Sequence, residues 1–93
     1  MTCGAWGTCT ASSECAVNIH GTSGPDTLIG NGNNNFIYGY GGGDMLLGKG
    51  GNDKLYGGGG DDYLDGGSGF DYLDGGAGAD SCFNGEIYVS CEN

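Results

Sequence analysis

Apolar side chains recur at every ninth position along most of this chain. They are Leu28, Ile37, Leu46, Leu55, Leu64, Leu73 and Cys82. Each stands in the middle of a three-residue segment, and these segments are rich in Tyr, Phe, Leu and Ile, which favour β-strands. The pattern predicts short strands at residues 27–29, 36–38, 45–47, 54–56, 63–65, 72–74 and 81–83, in which the central side chain points to the opposite face from its neighbours.

The six residues before each predicted strand have the composition of a turn. When the chain is cut into units of nine from Gly21, position 1 is Gly in all seven units. Position 4 is Gly except at Asn33, and position 6 is Asp except at Asn35. Because Gly permits tight turns and close backbone approach, turn and strand are expected to alternate. Two units then complete one coil, with the central strand side chains facing inward.

Composition and charge narrow the classes of partner. The chain has 24 Gly in 93 residues, only 37% hydrophobic residues, and 12 acidic against 2 basic residues, for a net charge of −10. This charge disfavours nucleic acid and anionic membranes as partners and favours cations. We expect no membrane insertion, since no apolar run approaches the roughly 20 residues of a spanning helix. The N-terminus lacks the basic and apolar regions of a signal peptide, so if the protein is exported, its signal is expected to have been removed or to lie elsewhere.

Every predicted turn combines backbone carbonyls with an oxygen-bearing side chain at position 6. These side chains are Asp26, Asn35, Asp44, Asp53, Asp62, Asp71 and Asp80. Such oxygens, at about 2.3–2.6 Å, are the ligands that Ca²⁺ prefers, whereas Zn²⁺ prefers His and Cys, which the repeats lack apart from Cys82. We therefore predict calcium binding at the turns. Neutralising the clustered carboxylates would link binding to folding.

These units resemble the RTX, or haemolysin-type, calcium-binding nonapeptide G-G-x-G-x-D-x-U-x over residues 21–83. The resemblance implies an all-β fold, a right-handed parallel β-roll (a β-helix-type solenoid) of two thin sheets with capped ends. It also implies that each ion lies between two turns stacked on one edge. Carbonyls of positions 1 and 3 of one turn and of positions 2 and 4 of the next would bind it, and the position-6 Asp would be shared by neighbouring ions.

Carried over position by position, the resemblance implies about five ions, three between the odd-numbered units and two between the even-numbered units. The side-chain ligands would be the position-6 residues named above. The backbone ligands between odd-numbered units would be Gly21, Ser23, Gly39, Tyr40, Gly41, Gly42, Gly57, Gly58, Gly59, Gly60, Gly76 and Gly78. Those between even-numbered units would be Gly30, Gly32, Gly48, Lys49, Gly50, Gly51, Gly67 and Gly69. The site that contains Asn35 should be the weakest, because a neutral amide replaces a carboxylate.

The two ends should be caps that differ from the repeat. We predict a Cys-containing N-terminal cap at residues 1–16, the β-roll at 17–83 and a C-terminal cap at 84–93. Val17 to His20 reads as a strand without its Gly turn, and Ile19 is expected to point inward, nine residues before the first Leu of the column.

The spacing of the cysteines predicts disulfides. Cys91 follows Cys82 by nine residues, which assigns both to the inward column. A disulfide between them requires the tail to bend inward, because facing sheets pack about 10 Å apart and the Cα atoms of a disulfide lie within about 7 Å. Two of Cys3, Cys9 and Cys15 are expected to form a second disulfide, and the sequence leaves their pairing open.

Disulfides and calcium sites together favour an extracellular location, since the cytosol is reducing and poor in Ca²⁺. We interpret the chain as a secreted, non-enzymatic calcium-binding module that folds on Ca²⁺ and acts in stabilisation or folding control. A second interpretation uses the outward aromatic residues Phe36, Tyr38, Tyr56 and Tyr72, which either shield the thin sheet or form a face for a glycan or protein partner.

Overall fold

The computed structural model describes the backbone of residues 7–10 and all atoms of residues 18–91. These two stretches form β-strands and no helix. The strands are β1 (Gly7–Thr10), β2 (Asn18–His20), β3 (Asp26–Ile29), β4 (Phe36–Tyr38), β5 (Met45–Leu47), β6 (Lys54–Tyr56), β7 (Tyr63–Asp65), β8 (Tyr72–Asp74), β9 (Ser81–Phe83) and β10 (Ile87–Val89). No helix long and apolar enough to cross a membrane occurs in the part of the chain that the structure covers.

Alternate strands belong to two parallel sheets. One sheet has the order β1-β3-β5-β7-β9 and the other the order β10-β8-β6-β4-β2. Within the repeats the register advances by eighteen residues per coil, so that Leu28 pairs with Leu46 and Leu46 with Leu64. Two nine-residue units therefore make one coil, and the chain forms a parallel β-solenoid of about four turns. The predicted two-sheet fold is confirmed.

A single column of apolar side chains fills the space between the sheets. Its members are Ile19, Leu28, Ile37, Leu46, Leu55, Leu64 and Leu73, each 0% exposed, and Cys82, 4% exposed. This confirms position 8 as the inward position and places the predicted upstream strand at β2. The core is only one side chain wide, so the turns at the two edges lie close to it.

Strand β1 lies within the N-terminal segment and adds a strand to one sheet. It pairs with β3, and Cys9 stands opposite Leu28. Cys3, Cys15 and the side chain of Cys9 fall outside the described part of the structure, as does Val17. The predicted N-terminal disulfide therefore stays a prediction.

The last coil is three residues shorter than the others. Strand β10 pairs with β8 at a separation of fifteen residues, so that Tyr88 stands opposite Leu73. The assignment of Cys91 to the inward strand column was therefore wrong, because the shortened turn moves the register and leaves Cys91 beyond the strand. The chain bends at Ser90, whose φ is +53°, and the predicted Cys82–Cys91 disulfide forms with a Cα–Cα distance of 5.9 Å.

Candidate metal centre

The turns stack along two edges of the solenoid because the strands alternate between the sheets. The first edge consists of the turns at residues 21–26, 39–44, 57–62 and 75–80, and the second edge consists of those at 30–35, 48–53 and 66–71. The predicted ligand residues of odd-numbered and even-numbered units are thus brought together on the first and second edge, respectively.

A ladder of side-chain hydrogen bonds joins the position-6 residues along each edge. On the first edge the backbone N–H of Asp26 donates to Oδ1 of Asp44 at 2.8 Å, and that of Asp44 donates to Oδ1 of Asp62 at 2.8 Å. On the second edge the N–H of Asp53 donates to Oδ1 of Asp71, also at 2.8 Å. Each bond holds a carboxylate beside the turn of the preceding coil. One oxygen is used in this way, and the second remains for another partner.

Those second oxygens are buried and accept no hydrogen bond from a donor. They are Oδ2 of Asp44, Asp53, Asp62 and Asp71, and the four residues are at most 3% exposed. Burying a carboxylate without a compensating partner costs several kcal/mol. The chain has only two basic residues, Lys49 and Lys54, and the ammonium of Lys54 lies over the ring of Phe36 at 5.4 Å. Among the described residues no side chain partners these carboxylate oxygens, and a bound cation could neutralise them.

Backbone carbonyl oxygens converge with the orphan carboxylate oxygens at position 1 of the turns. A Cβ at Gly39 would lie 2.6 Å from Oδ2 of Asp44 and 2.8 Å from the carbonyl oxygen of Gly57 in the next coil. Gly48 on the second edge has the same environment, because a Cβ there would lie 2.6 Å from Oδ2 of Asp53 and 2.8 Å from the carbonyl oxygen of Gly66 in the next coil. Position 1 is therefore Gly because two oxygens occupy the place of a side chain. Paired carboxylate and carbonyl oxygens are the donor set of a hard cation such as Ca²⁺.

The backbone of positions 2 and 4 adopts positive φ in every turn from 39–44 to 75–80. This includes two residues with side chains, Tyr40 at +69° and Lys49 at +70°, as well as Gly at the other positions. The resemblance assigns ligand carbonyls at positions 2 and 4 to these same turns. It assigns none at these positions to the first turn of each edge, at residues 21–26 and 30–35. The unusual backbone, which is costly for Tyr and Lys, thus occurs where carbonyl ligands were predicted.

The first turn of the first edge satisfies its own carboxylate. Thr22 donates its backbone N–H to Oδ2 of Asp26 at 2.7 Å, and its hydroxyl lies 3.1 Å from both carboxylate oxygens. In the first turn of the second edge, Asn31 donates its N–H to Oδ1 of Asn35 at 3.1 Å. Asp26 and Asn35 lie at the predicted positions, but they have donors that the later carboxylates lack.

Burial raises the pKa of the position-6 carboxyl groups. The pKa rises to about 6 for Asp44 and to about 7 for Asp53 and Asp62, and it is also raised for Asp71. Desolvation is the largest cause, the hydrogen bond from the preceding coil opposes it, and neighbouring acidic groups add to it. The charged form is therefore unfavourable at the edges unless a positive charge is near.

Side chains alone do not form a metal site in the described part of the chain, so backbone carbonyls or water would complete the coordination of an ion. Within residues 18–91 no three His, Cys, Asp or Glu side chains are grouped so that they could hold a metal on their own. The predicted donor set, in which carbonyls outnumber carboxylates, stays a prediction.

One acidic residue at the second edge escaped the sequence analysis. Oε1 of Glu86 accepts the backbone N–H of Asp71 at 2.6 Å, which is the bond that a position-6 Asp makes in the other coils. The nine-residue count concealed it, because the last turn is three residues short. The sequence signal was an acidic residue directly before the strand-like triplet Ile87 to Val89.

The outward aromatic residues lie on the face of the sheet that contains β4, β6 and β8. The ring of Tyr38 stacks between those of His20 and Tyr56, with centroid distances of 5.0 and 5.1 Å and planes within 8°. Tyr72 tilts against Tyr56 by 47°, and Phe36 packs under Lys54. The ring faces of Tyr38 are thus covered by its neighbours. The use of this row as a face for a glycan or protein partner stays a prediction.

A family model described as RTX calcium-binding nonapeptide repeat (4 copies) matches residues 20–55, 38–73 and 56–86. The three overlapping matches cover well over half of the chain and both ladders of position-6 residues. Comparisons with curated proteins and with solved structures gave no significant match.

Proposed function

Because the chain belongs to the RTX calcium-binding nonapeptide repeat family, whose repeats bind Ca²⁺ in a β-roll, we propose that it is a secreted module that folds when its turns take up calcium. The RTX repeat is a structural unit rather than a catalytic one. The observation that carries the proposal is the row of buried Asp oxygens without donors, each facing a backbone carbonyl of the next coil.

The residues at the edges fit the ion. Hard oxygen donors, an excess of buried negative charge and the absence of basic partners at the ladders favour Ca²⁺ over Zn²⁺. Asp44 and Asp62 would each contact two ions on the first edge and Asp53 two on the second, together with the carbonyls assigned above. A bound ion supplies positive charge, which would offset both the desolvation of the carboxylates and their mutual repulsion.

Calcium would act as a folding switch. Without it, folding has to bury a carboxylate in nearly every turn, against a core only one side chain wide. With it, each ion ties two successive coils together, so binding and folding form one linked equilibrium. The module would remain unfolded where calcium is scarce and fold where calcium is abundant.

An extracellular location suits this switch. Extracellular calcium modules work at about 10⁻⁴–10⁻³ M, which is above cytosolic levels. The Cys82–Cys91 disulfide is also of a kind that persists in oxidising compartments.

Isothermal titration calorimetry on the purified, disulfide-intact chain tests the proposal. We expect saturable binding of about five or more Ca²⁺ per chain, with Mg²⁺ a poor substitute because it requires tighter octahedral geometry. Absence of calcium binding at millimolar concentrations would refute the proposed function.

A further inference from the structure

The shortened last turn reproduces the oxygen arrangement of the repeat turns. At Gly66, the place that a Cβ would occupy lies 2.7 Å from Oδ2 of Asp71 and 2.6 Å from the carbonyl oxygen of Asn84. At Gly48, one coil earlier, the corresponding distances are 2.6 Å to Oδ2 of Asp53 and 2.8 Å to the carbonyl oxygen of Gly66. Asn84 thus takes the place of a position-1 residue, eighteen residues after Gly66 as the repeat requires, and the turn is shortened by three residues only after it.

Glu86 takes the place of a position-6 residue. Besides accepting the N–H of Asp71, it directly precedes β10, as the position-6 residues precede the other strands. The N–H of Ile87 donates to the carbonyl oxygen of Asp71 at 3.2 Å, as the N–H of Tyr72 does to that of Asp53 at 2.9 Å. The longer side chain of Glu compensates for a turn of three residues in place of six.

The carboxylate of Asp71 is the independent sign of a ligand. The residue is 0% exposed, and its Oδ2 is buried, has no hydrogen-bond partner and points to the place where the Asn84 carbonyl converges. Oδ1 already binds the N–H of Asp53. Oδ2 of Asp53 has the same environment one coil earlier, and Asp53 is the predicted ligand of two ions, so the matching oxygen of Asp71 fits a second ion beyond the one between the turns at 48–53 and 66–71.

We propose that Asp71, Glu86 and the Asn84 carbonyl form an additional calcium site at the C-terminal end of the second edge, which brings the expected number of ions to about six. This inference rests on the proposed function. The site differs from the repeat sites in three respects: its last ligand is Glu, its second turn lacks three residues, and Glu86 is exposed to solvent. Water would complete the coordination of such an open site, which should therefore bind more weakly than the sites between full turns.

An ion there would attach the C-terminal cap to the repeats. The short turn lies inside the loop that the Cys82–Cys91 disulfide closes, so ion and disulfide hold the same segment from two sides. The last ion would bind to an already folded roll and would fix β10 against β8.

The variant Glu86→Gln distinguishes calcium binding by Glu86 from its hydrogen bond to the N–H of Asp71. Gln keeps an oxygen that accepts the N–H of Asp71 and removes only the charge. Asp61→Asn is the matched control, because it removes the same charge from an exposed position-5 residue and keeps the oxygen that accepts the N–H of Ala79 at 2.9 Å. Both variants are compared with the unaltered chain by calorimetry and native mass spectrometry, and NMR follows the amide signals of residues 84–86 during the calcium titration.

We expect Glu86→Gln to keep its β-structure and either to bind one ion fewer or to fill its last site at about tenfold higher calcium. The amide shifts of residues 84–86 in the last binding step should disappear or move with it, and Asp61→Asn should match the unaltered chain. Unchanged ion number and affinity in Glu86→Gln would overturn the proposal and leave Glu86 as a hydrogen-bonding cap. Equal losses in both variants would also overturn it, since they would reflect net charge alone. If the unaltered chain binds no calcium, the proposed function fails as well.

Discussion

Asp62→Asn tests whether the position-6 carboxylates are shared between neighbouring ions. Asn keeps the oxygen that accepts the N–H of Asp44 at 2.8 Å, so the variant removes charge without removing the ladder. A carboxylate about 4 Å from a divalent ion contributes about 2 kcal/mol even at the dielectric constant of water. Asp62 would face two ions and lose about 4 kcal/mol in total, whereas Asp26, at the end of the stack, would face one ion and lose about 2 kcal/mol.

The measurable quantity is the calcium concentration at which half of the chain is folded. If about five ions bind as the chain folds, a loss of 4 kcal/mol is divided among them and raises this midpoint about fourfold. The loss for Asp26→Asn raises it about twofold. Circular dichroism during calcium titrations at fixed ionic strength gives both midpoints. Equal shifts in the two variants would refute the shared-ligand arrangement, even if both variants bind calcium.

Three further perturbations have distinct expected outcomes. Gly57→Ala places a Cβ 2.5 Å from Oδ2 of Asp62 and should lower the free energy of unfolding by about 1–3 kcal/mol. Gly59→Ala in the same turn is the control, because its Cβ meets no atom within 4 Å. Similar calcium midpoints of folding for the two variants would contradict the crowding at position 1. Replacing both Cys82 and Cys91 by Ser removes the disulfide that closes a ten-residue loop, which contributes about 2.7 kcal/mol. The calcium midpoint of folding should rise two- to threefold in a calcium titration. An unchanged midpoint would mean that the C-terminal cap folds separately. The raised pKa values of the buried carboxyl groups mean that protonation favours the calcium-free fold, so in chelator the β-structure seen by circular dichroism should increase as pH falls from about 8 to about 5. In saturating calcium the carboxylates are charged in both states, and melting should hardly change over this range. A loss of β-structure in chelator as pH falls would be inconsistent with the burial of these groups.

The repeat was readable from the sequence because each of its positions has one dominant physical task. Position 8 fills a core one side chain wide, so only Leu, Ile or Cys occurs there, and the strands follow at a fixed distance from it. The Asp ladder and the coil of eighteen residues follow from the same count. Seven units in one register left no competing alignment, and this is why strand positions and the inward column agree with the structure.

The structure differs from the sequence-based predictions where the nine-residue spacing is interrupted. The last turn loses three residues, so counting by nine misplaced Cys91 and hid Glu86. The bonds from Thr22 to Asp26 depend on the folded turn, and nothing in the repeat pattern indicates them. The reason for Gly at position 1 was also hidden, since the oxygen that excludes a side chain there comes from the next coil, eighteen residues away.

Circular dichroism of the disulfide-intact chain, recorded first in chelator and then during addition of Ca²⁺ to millimolar concentration, tests the calcium-triggered fold most directly. The buried, unpaired carboxylates predict a largely disordered spectrum in chelator and a cooperative gain of β-structure that coincides with calcium uptake. A full β-sheet spectrum in chelator, with a melting curve that calcium leaves unchanged, would contradict it.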